Sequence, residues 1–522
     1  MSGYDYSTLP RELNVPDMPV TGFVARAAEK FPDNPAIHYF GTQLTYRQFD
    51  QSIRKLMNVL RSLGVGRGDV VALMTANCPQ ALMAYQAVLR LGAILTQVNP
   101  LYVEREVERQ LNDSGAKAAL ALDLVAERVI NVMDRTQVKS VLVFSLRDYM
   151  AWPVSWLFPV KLLMQKRLPR VPQHEGVVWW NSVFPAASAE IEAPPVSPGD
   201  LALYQYTGGT TGDAKGVELT HRNLVANTLQ ARRWFVDAQE GKEVILLALP
   251  MFHAFGMTVG MNLAWALAGK LALIPKFDAA QVMGLIERQR VTMFPGVPAM
   301  YVSIINHPAA LKRDISSVRY CISGAASLAP ETRAAFERLT GGKLVEGYGL
   351  TEASPVTHCN PLPGGAKNGS IGMDLPGTQS RIVNEEGAEL PVGEVGELIL
   401  RGPQVMRGYK GSPEETARVI RNGWLFTGDM AYRDDDGFVF LMDRKKDMII
   451  TGGCNVYPRE IEDLLMEIEG VAEAGVVGAR DERFGEMVVA ASKSCAGTWP
   501  RTSSPSAWCS SKNCPAPSSA RC

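Results

Sequence analysis

The chain has 522 residues, enough for about three or four folding units at roughly 150 residues each. It is 46% hydrophobic and 20% charged, which excludes a disordered or collagen-like chain. The 53 Lys and Arg nearly balance the 54 Asp and Glu, leaving a net charge of -1 and no basic footprint for nucleic acid. Of the 8 cysteines, Cys495, Cys509, Cys514 and Cys522 crowd the last stretch, and Cys78, Cys321, Cys359 and Cys454 lie far apart without CxxC spacing. Incidental thiols in a reducing cytoplasm are expected, not a disulfide framework or a zinc site. The N-terminus has neither a basic n-region nor an apolar h-region, so no signal peptide is expected.

In chain order, Ile53, Leu56, Met57, Leu60 and Leu63 form a helical stripe that Gly64 stops. Val70–Met74 reads as a strand, Ala81–Leu91 as a helix ended by Gly92, and Ala93–Val98 as a strand. Strand, helix, strand with short turns predicts a parallel α/β sheet. Gly64, Gly66 and Gly68 do not fit GxGxxG, so no dinucleotide fingerprint is present there. Residues 145–200 break the pattern with eight prolines, four tryptophans and the cations Lys161, Lys166, Arg167 and Arg170. Met150–Met164 is apolar apart from Ser155 and Lys161, but shorter than the about 20 residues that span a membrane. Residues 150–170 admit two readings: peripheral contact with a membrane surface, or a surface insertion packed on its own domain. The prolines, which interrupt a long helix, favour the second.

Residues 201–360 return to α/β. Residues 370–442 are glycine-rich with short strands at Arg381–Val383, Gly396–Leu400 and Phe438–Phe440, a small β-subdomain. The charged run Asp443–Asp447 marks a boundary. Beyond it a helix opens at Tyr457-Pro458, with Ile461, Leu464 and Leu465 on one face, and Val471–Val477 and Met487–Ala490 read as strands. Residues 492–522 hold nine serines, four prolines and four cysteines and no Asp or Glu. They read as a disordered tail, or as a frameshifted sequence that is not the natural continuation of the strand before it.

The strongest chemical signal is Leu203–Val217, an apolar strand running into a loop with Thr207, Gly208, Gly209, Thr210, Thr211, Gly212 and Lys215. Glycines let backbone amides approach an anion, threonine hydroxyls add donors, and Lys215 adds charge for phosphate oxygens. Asp213 stands where a Walker A loop needs glycine, so the loop is of another kind. Tyr348, between Gly347 and Gly349, can lay its ring on a purine or be a core tyrosine in a turn. Glu352 beside Thr351 is a hard oxygen ligand suited to Mg²⁺, or a solvated carboxylate. Asp429 can accept hydrogen bonds from ribose hydroxyls; Arg444 can donate to them or be a surface charge in a run of five charged residues. His253, between Phe252 and Phe255, is either a satisfied core histidine or a group that orients a carboxylate; Phe252, Phe255 and Met257 supply an apolar lining.

At these residues the chain resembles the acyl-adenylate-forming superfamily of acyl-CoA ligases, firefly-type luciferases and peptide-synthetase adenylation domains. The carrying motifs stand in order: Tyr206–Gly216, Pro250–Gly256, Ser323–Ala326, Glu346–Glu352, Trp424–Asp429, Asp443–Asp447 and Gly452–Glu462. They cover about residues 20–491, and Asp443–Lys446 with Asn455–Pro458 is most similar to bacterial long-chain fatty-acid CoA ligases. The resemblance implies an α/β fold. Residues 1–442 would form a large domain of two α/β subdomains plus the β-subdomain, 443–491 a small, incomplete α+β C-terminal domain, and 492–522 an aberrant tail.

The resemblance also implies ATP, Mg²⁺, CoA and a fatty acid as partners, and a cytoplasmic enzyme, at most peripheral at the inner face of the membrane. Gly324, Ala325, Ala326, Glu346 and Tyr348 would hold the nucleotide, with Thr207, Lys215, His253, Thr351 and Glu352 catalytic. Phe252, Phe255 and Met257 would line the acyl pocket, Lys446 would be the hinge, and Gly453 would border the CoA channel. Another adenylating enzyme and a non-catalytic acyl-AMP binder stay open. The resemblance further implies a lysine near the C-terminus in a Pro-x-x-x-x-Gly-Lys context. After Lys446 the chain has only Lys493 and Lys512, neither preceded by glycine, so weak adenylation is expected.

Overall fold

The computed structural model describes residues 6–207, 214–445, 447–451, 454–466, 468, 471–481 and 485–494. The chain forms two units, Met1–Gln379 with Arg401–Ile420, and Ser380–Leu400 with Arg421–Cys522.

An eight-stranded sheet organises the first unit. Its strands are β1 (Val70–Met74), β2 (Ile94–Val98), β3 (Ala116–Leu122), β4 (Ser140–Phe144), β5 (Val177–Trp179), β6 (Leu201–Thr207) and β7 (Lys215–Thr220), with the short strand Gly408–Tyr409 beyond β7. The order from that edge is 408–409, β7, β6, β2, β1, β3, β4, β5. All pairs from β6 to β5 are parallel, whereas β7 runs antiparallel to β6 and to Gly408–Tyr409. Every residue of β1 is buried, as a parallel strand covered on both faces requires.

Helix α1 (Tyr46–Ser62) starts with a reciprocal cap between Thr45 and Gln48. Helix α2 (Pro79–Arg90) has Pro79 in its first turn and is buried throughout Pro79–Leu89. Helix α3 (Val154–Met164) is more apolar than α2, yet only Leu162 is fully buried. One face, Ser155, Phe158, Pro159 and Leu162, is covered, as a packed surface insertion requires, while the remaining faces are exposed. Pro159 lies inside α3 without ending it; lacking an N–H, it gives up one helical hydrogen bond.

A second sheet joins β8 (Tyr320–Ser323), β9 (Lys343–Gly349), β10 (Val356–Cys359) and Met373–Asp374. β8 and β9 are parallel and β10 returns antiparallel. Helix α4 (His221–Trp234) follows β7 directly, capped by Thr220 and Asn223. A further sheet holds Val244–Leu247, Lys270–Leu273, Pro35–Tyr39 and Thr42–Thr45, and Met293 bridges it to β8.

The second unit contains a five-stranded sheet that includes Gly396–Arg401, Trp424–Arg433 and Val439–Arg444. It also contains a four-stranded sheet ordered Cys454–Val456, Ile449–Thr451, Gly485–Ser494, Val471–Asp481, with helix α5 (Pro458–Met466) packed on Val471–Asp481. The last strand outruns its expected end at Ala490. Its ladder continues through Ala491 opposite Gly475 to Ser494 opposite Val471, because a long partner is there to pair with it.

Candidate active site

The motif residues of the first unit gather where β6, β8 and β9 end. Ligands of open α/β sheets bind at such carboxyl ends. β6 and β7 stay in register up to Thr207 opposite Lys215, which starts β7 two residues before its expected Val217. Gly208, Gly209, Thr210, Thr211 and Gly212 lie outside the described residues.

Lys215 is half exposed. Its ammonium pairs with the Glu415 carboxylate at 2.6 Å and lies 5.2 Å from the centre of the Tyr409 ring. The ammonium holds the Glu415 carboxyl below its ordinary range. Tyr409 in turn donates its hydroxyl to Glu352 Oε1 at 2.8 Å. Burial, followed by the neighbouring Glu352 charge, pushes the Tyr409 phenol up, so it is a donor at all physiological pH. The Glu352 carbonyl accepts from the Met406 amide at 2.7 Å. Residues 406–415 thus strap together Lys215 and Glu352, two groups far apart in sequence.

Thr351 and Glu352 sit on a single 3-10 turn after β9. Helix α4 holds that turn from behind through buried amides. Asn227 donates to the Val356 carbonyl at 2.6 Å and accepts from the Val356 amide at 3.0 Å. Gln230 donates to Pro376 O, Thr378 Oγ1 and Gln404 Oε1, each at 3.0 Å. Asn223 donates to Pro403 O and Val405 O, both at 2.9 Å. Ser354 completes the frame, donating to Gln404 O at 2.8 Å and accepting at its carbonyl from Thr258 at 2.6 Å.

At the end of β8, a Cβ on Gly324 would lie 3.1 Å from Phe255 and 3.6 Å from the Gly347 carbonyl. The three segments 252–257, 323–326 and 346–349 therefore meet at one point. Ala325 holds a left-handed φ of +67, an uncommon state for alanine and one found where a site fixes the backbone. A Cβ on Gly349 would strike Pro355 O at 2.2 Å, so glycine is required there. Tyr348 stands opposite His358, ring centres 6.0 Å apart. Glu346 accepts from the Leu328 amide at 2.9 Å, a bond that ties down the 326–328 turn.

His253 is exposed, not enclosed as a core histidine, with its ring 4.4 Å from that of Phe252. Desolvation lowers its pKa, so the imidazole is neutral at pH 7. Phe252 and Phe255 are half-buried, while Met257 is fully buried and takes a contact from Gln97 at 3.5 Å. Met257 therefore backs the site instead of lining it. The π-helix Gly256–Asn262 runs on from this segment, with Gly256 pressed against Pro250 O.

In the second unit Asp429 and Arg444 are ladder partners, with Oδ1 and Nε 3.9 Å apart. Lys446 and Gly453 lie outside the described residues. Among the described residues no group of three or more His, Cys, Asp or Glu forms a metal cage. Glu352 with Thr351 nonetheless fits Mg²⁺, which takes one or two carboxylates and leaves its other positions to phosphate and water.

Tyr409, Glu415 and the α4 amides are not apparent from the motifs. Asn223, Asn227 and Gln230 do stand at i, i+4 and i+7, a polar stripe on one helix face that signals a buried network.

The family model described as AMP-binding enzyme matches residues 24–410. The long-chain-fatty-acid–CoA ligase of Bacillus subtilis (strain 168) is 43% identical over 487 residues, 92% of this chain and 86% of the relative. That of Escherichia coli O6:H1 is 36% identical over 92% of this chain and 86% of its own. The crystal structure of ATP-bound MatB from Rhodopseudomonas palustris superposes with a TM-score of 0.80 at 29% identity, covering 92% of this chain and 90% of that one.

Proposed function

The chain belongs to the AMP-binding enzyme family, and from that premise we propose that it activates a medium- or long-chain fatty acid with ATP, first to acyl-AMP and then to acyl-CoA. The carrying observation is the strap that joins Lys215 and Glu352 beside the junction of Phe255, Gly324 and Gly347. The named activity of the ligase relatives and the ATP of the MatB structure support the same reading.

In this reading a carboxylate oxygen attacks the α-phosphorus of ATP and pyrophosphate leaves; the CoA thiol then displaces AMP. The protein's part is positioning and charge stabilisation. Lys215 exchanges the Glu415 carboxylate for triphosphate oxygens, and Thr207 adds a hydroxyl at the loop's start. Tyr409 fixes one Glu352 oxygen, leaving the other with Thr351 to hold Mg²⁺, which supplies charge neutralisation of the phosphates. Tyr348 stacks on adenine, with Gly324, Ala325 and Ala326 leaving room for the base. Asp429 and Arg444 serve the ribose, Lys446 the hinge and Gly453 the pantetheine channel. His253, being neutral, orients the acyl carboxylate by a hydrogen bond, not by charge. The domain limits expected at 442/443 and 491/492 fall within the strands Val439–Arg444 and Gly485–Ser494 and are not part of this reading.

A cytoplasmic location is proposed; no described helix is long and apolar enough to cross a membrane. Peripheral contact through 150–170 rests on the surface considered next.

ATP–pyrophosphate exchange with palmitate, benzoate and amino acids, alongside calorimetry of ATP·Mg²⁺ binding, tests the reading. Exchange favouring palmitate, with clear ATP binding, is expected. Exchange favouring benzoate or an amino acid, or a folded chain that fails to bind ATP, overturns it.

A further inference from the structure

A helix that is apolar on every side is normally buried. Helix α3 is not. Trp152, just before it, is 83% exposed, Trp156 69% and Met164 81%, with Leu157 and Leu163 exposed beside them. Single exposed apolar residues are ordinary; a contiguous set of this size marks a binding surface.

We propose that this surface docks on an anionic phospholipid bilayer. Charge commits it to that partner. Between Met150 and His174 the chain carries Lys161, Lys166, Arg167 and Arg170 and no Asp or Glu. Cations beside exposed Trp and Leu are the composition of an interfacial segment on anionic lipid. Two carboxylates flank the stretch, the half-buried Asp148, which accepts from Ser145 N at 2.8 Å and Asn181 Nδ2 at 3.0 Å, and the exposed Glu175, and the four cations outnumber them. Length sets the mode. Eleven residues rise about 16 Å, half of a roughly 30 Å hydrocarbon core, so α3 lies in the interface and does not span it.

The surface is also preformed. Ala151 N donates to Phe40 O at 3.1 Å before the helix, and Arg167 N donates to Leu162 O at 2.9 Å after it. Trp152, Ser155, Trp156, Pro159 and Val160 line one open hollow of about 650 Å³ bordered by Arg147 and Asp148, and tryptophan is the residue enriched at membrane–water interfaces.

Docking is independent of the activity proposed above. The full chain is sedimented with vesicles of phosphatidylglycerol and phosphatidylcholine, and with phosphatidylcholine alone, at low and high salt. Binding to the anionic vesicles should exceed binding to the neutral ones at least tenfold and fall with salt. The variant Trp152→Ser/Trp156→Ser should lose at least tenfold of it. Lys166→Glu/Arg167→Glu, which alters only exposed cations, should do the same with an unchanged circular dichroism spectrum and melting temperature, and it decides the matter if the tryptophan variant misfolds. Absence of wild-type binding, equal binding to neutral vesicles, or a folded charge-reversal variant that binds undiminished overturns the proposal. Self-association without vesicle binding, abolished by the same substitutions, would assign the face to a second copy instead. Exchange activity measured without vesicles is expected to be the same in both variants.

Discussion

Helices α4 and α3 invert the usual rule in opposite senses. α4 buries His221, Asn223, Asn227, Thr228 and Gln230; α3 exposes tryptophan, leucine and methionine. The three amides of α4 carry hydrogen bonds to segments 354–357, 376–378 and 403–405. Those bonds make the interior behind Thr351 and Glu352 specific as well as compact. The apolar side chains of α3, apart from Phe158, Pro159 and Leu162, are exposed and do little for the fold. Polar residues inside serve the site by being satisfied; apolar residues outside serve something the protein has yet to touch.

The largest effect should come from pH acting on α4. His221 is buried, accepts from the Val20 amide at 3.3 Å, and has its pKa pushed down to about 4, chiefly by burial. Above pH 6.5 the ring is neutral in both states and contributes no pH dependence. Below 6.5 the unfolded chain takes up a proton that the folded chain refuses until about pH 4. Stability should therefore fall across that window by on the order of 3 kcal/mol. Urea titrations at pH 7 and 4.5 measure it, and His221→Gln should flatten its share.

Next, Asn227→Leu strands both polar groups of Val356 and should cost about 2 kcal/mol in urea unfolding. The same variant, assayed where it is still folded, should lose turnover more than ATP affinity, because the turn bearing Glu352 is then less well fixed. A loss below about 0.5 kcal/mol would mean that the network is incidental.

Tyr409→Phe removes one charge-assisted bond to Glu352 and should lower kcat/KM for ATP·Mg²⁺ about tenfold, equivalent to about 1.4 kcal/mol. The drop should be partly offset by raised Mg²⁺. An unchanged magnesium dependence would separate the strap from metal binding.

The smallest effect completes the contrast. Trp156→Ala in α3 should change stability by less than about 0.5 kcal/mol, whereas a core aromatic truncation costs about 3–5 kcal/mol. A large loss there would show that α3 is packed after all.

Much of this was readable from residues alone. Val70–Met74 and Ala93–Val98 declare a parallel sheet through short, continuous apolar runs, and they are its strands to within a residue. The chemistry of Lys215, Tyr348 and Glu352 is readable because residue type and glycine spacing are local signals. Their partners are not. Lys215 meets Glu415 200 positions away, and Gln230 meets Gln404 174 away. No periodicity encodes such pairings. The same holds for α3, where composition announces an apolar, proline-broken segment and only tertiary structure reveals a helix with most of its surface uncovered. His253 was ambiguous for a like reason: two flanking phenylalanines say nothing about which way the imidazole faces.

The path of the chain between the two units also sets an order of events during synthesis. The first unit is interrupted at 380–400 and completed only by 401–420. On the ribosome, every strand of the large sheet except Gly408–Tyr409 emerges before that excursion begins. Until the final piece arrives, β7 is a bare edge, a template for pairing with a neighbouring nascent chain. Tyr409 and Glu415 reach Glu352 and Lys215 in the same late step. Sealing of the sheet and assembly of the strap therefore coincide, and a pause in translation just before residue 401 would leave a chain that is both adhesive and inert.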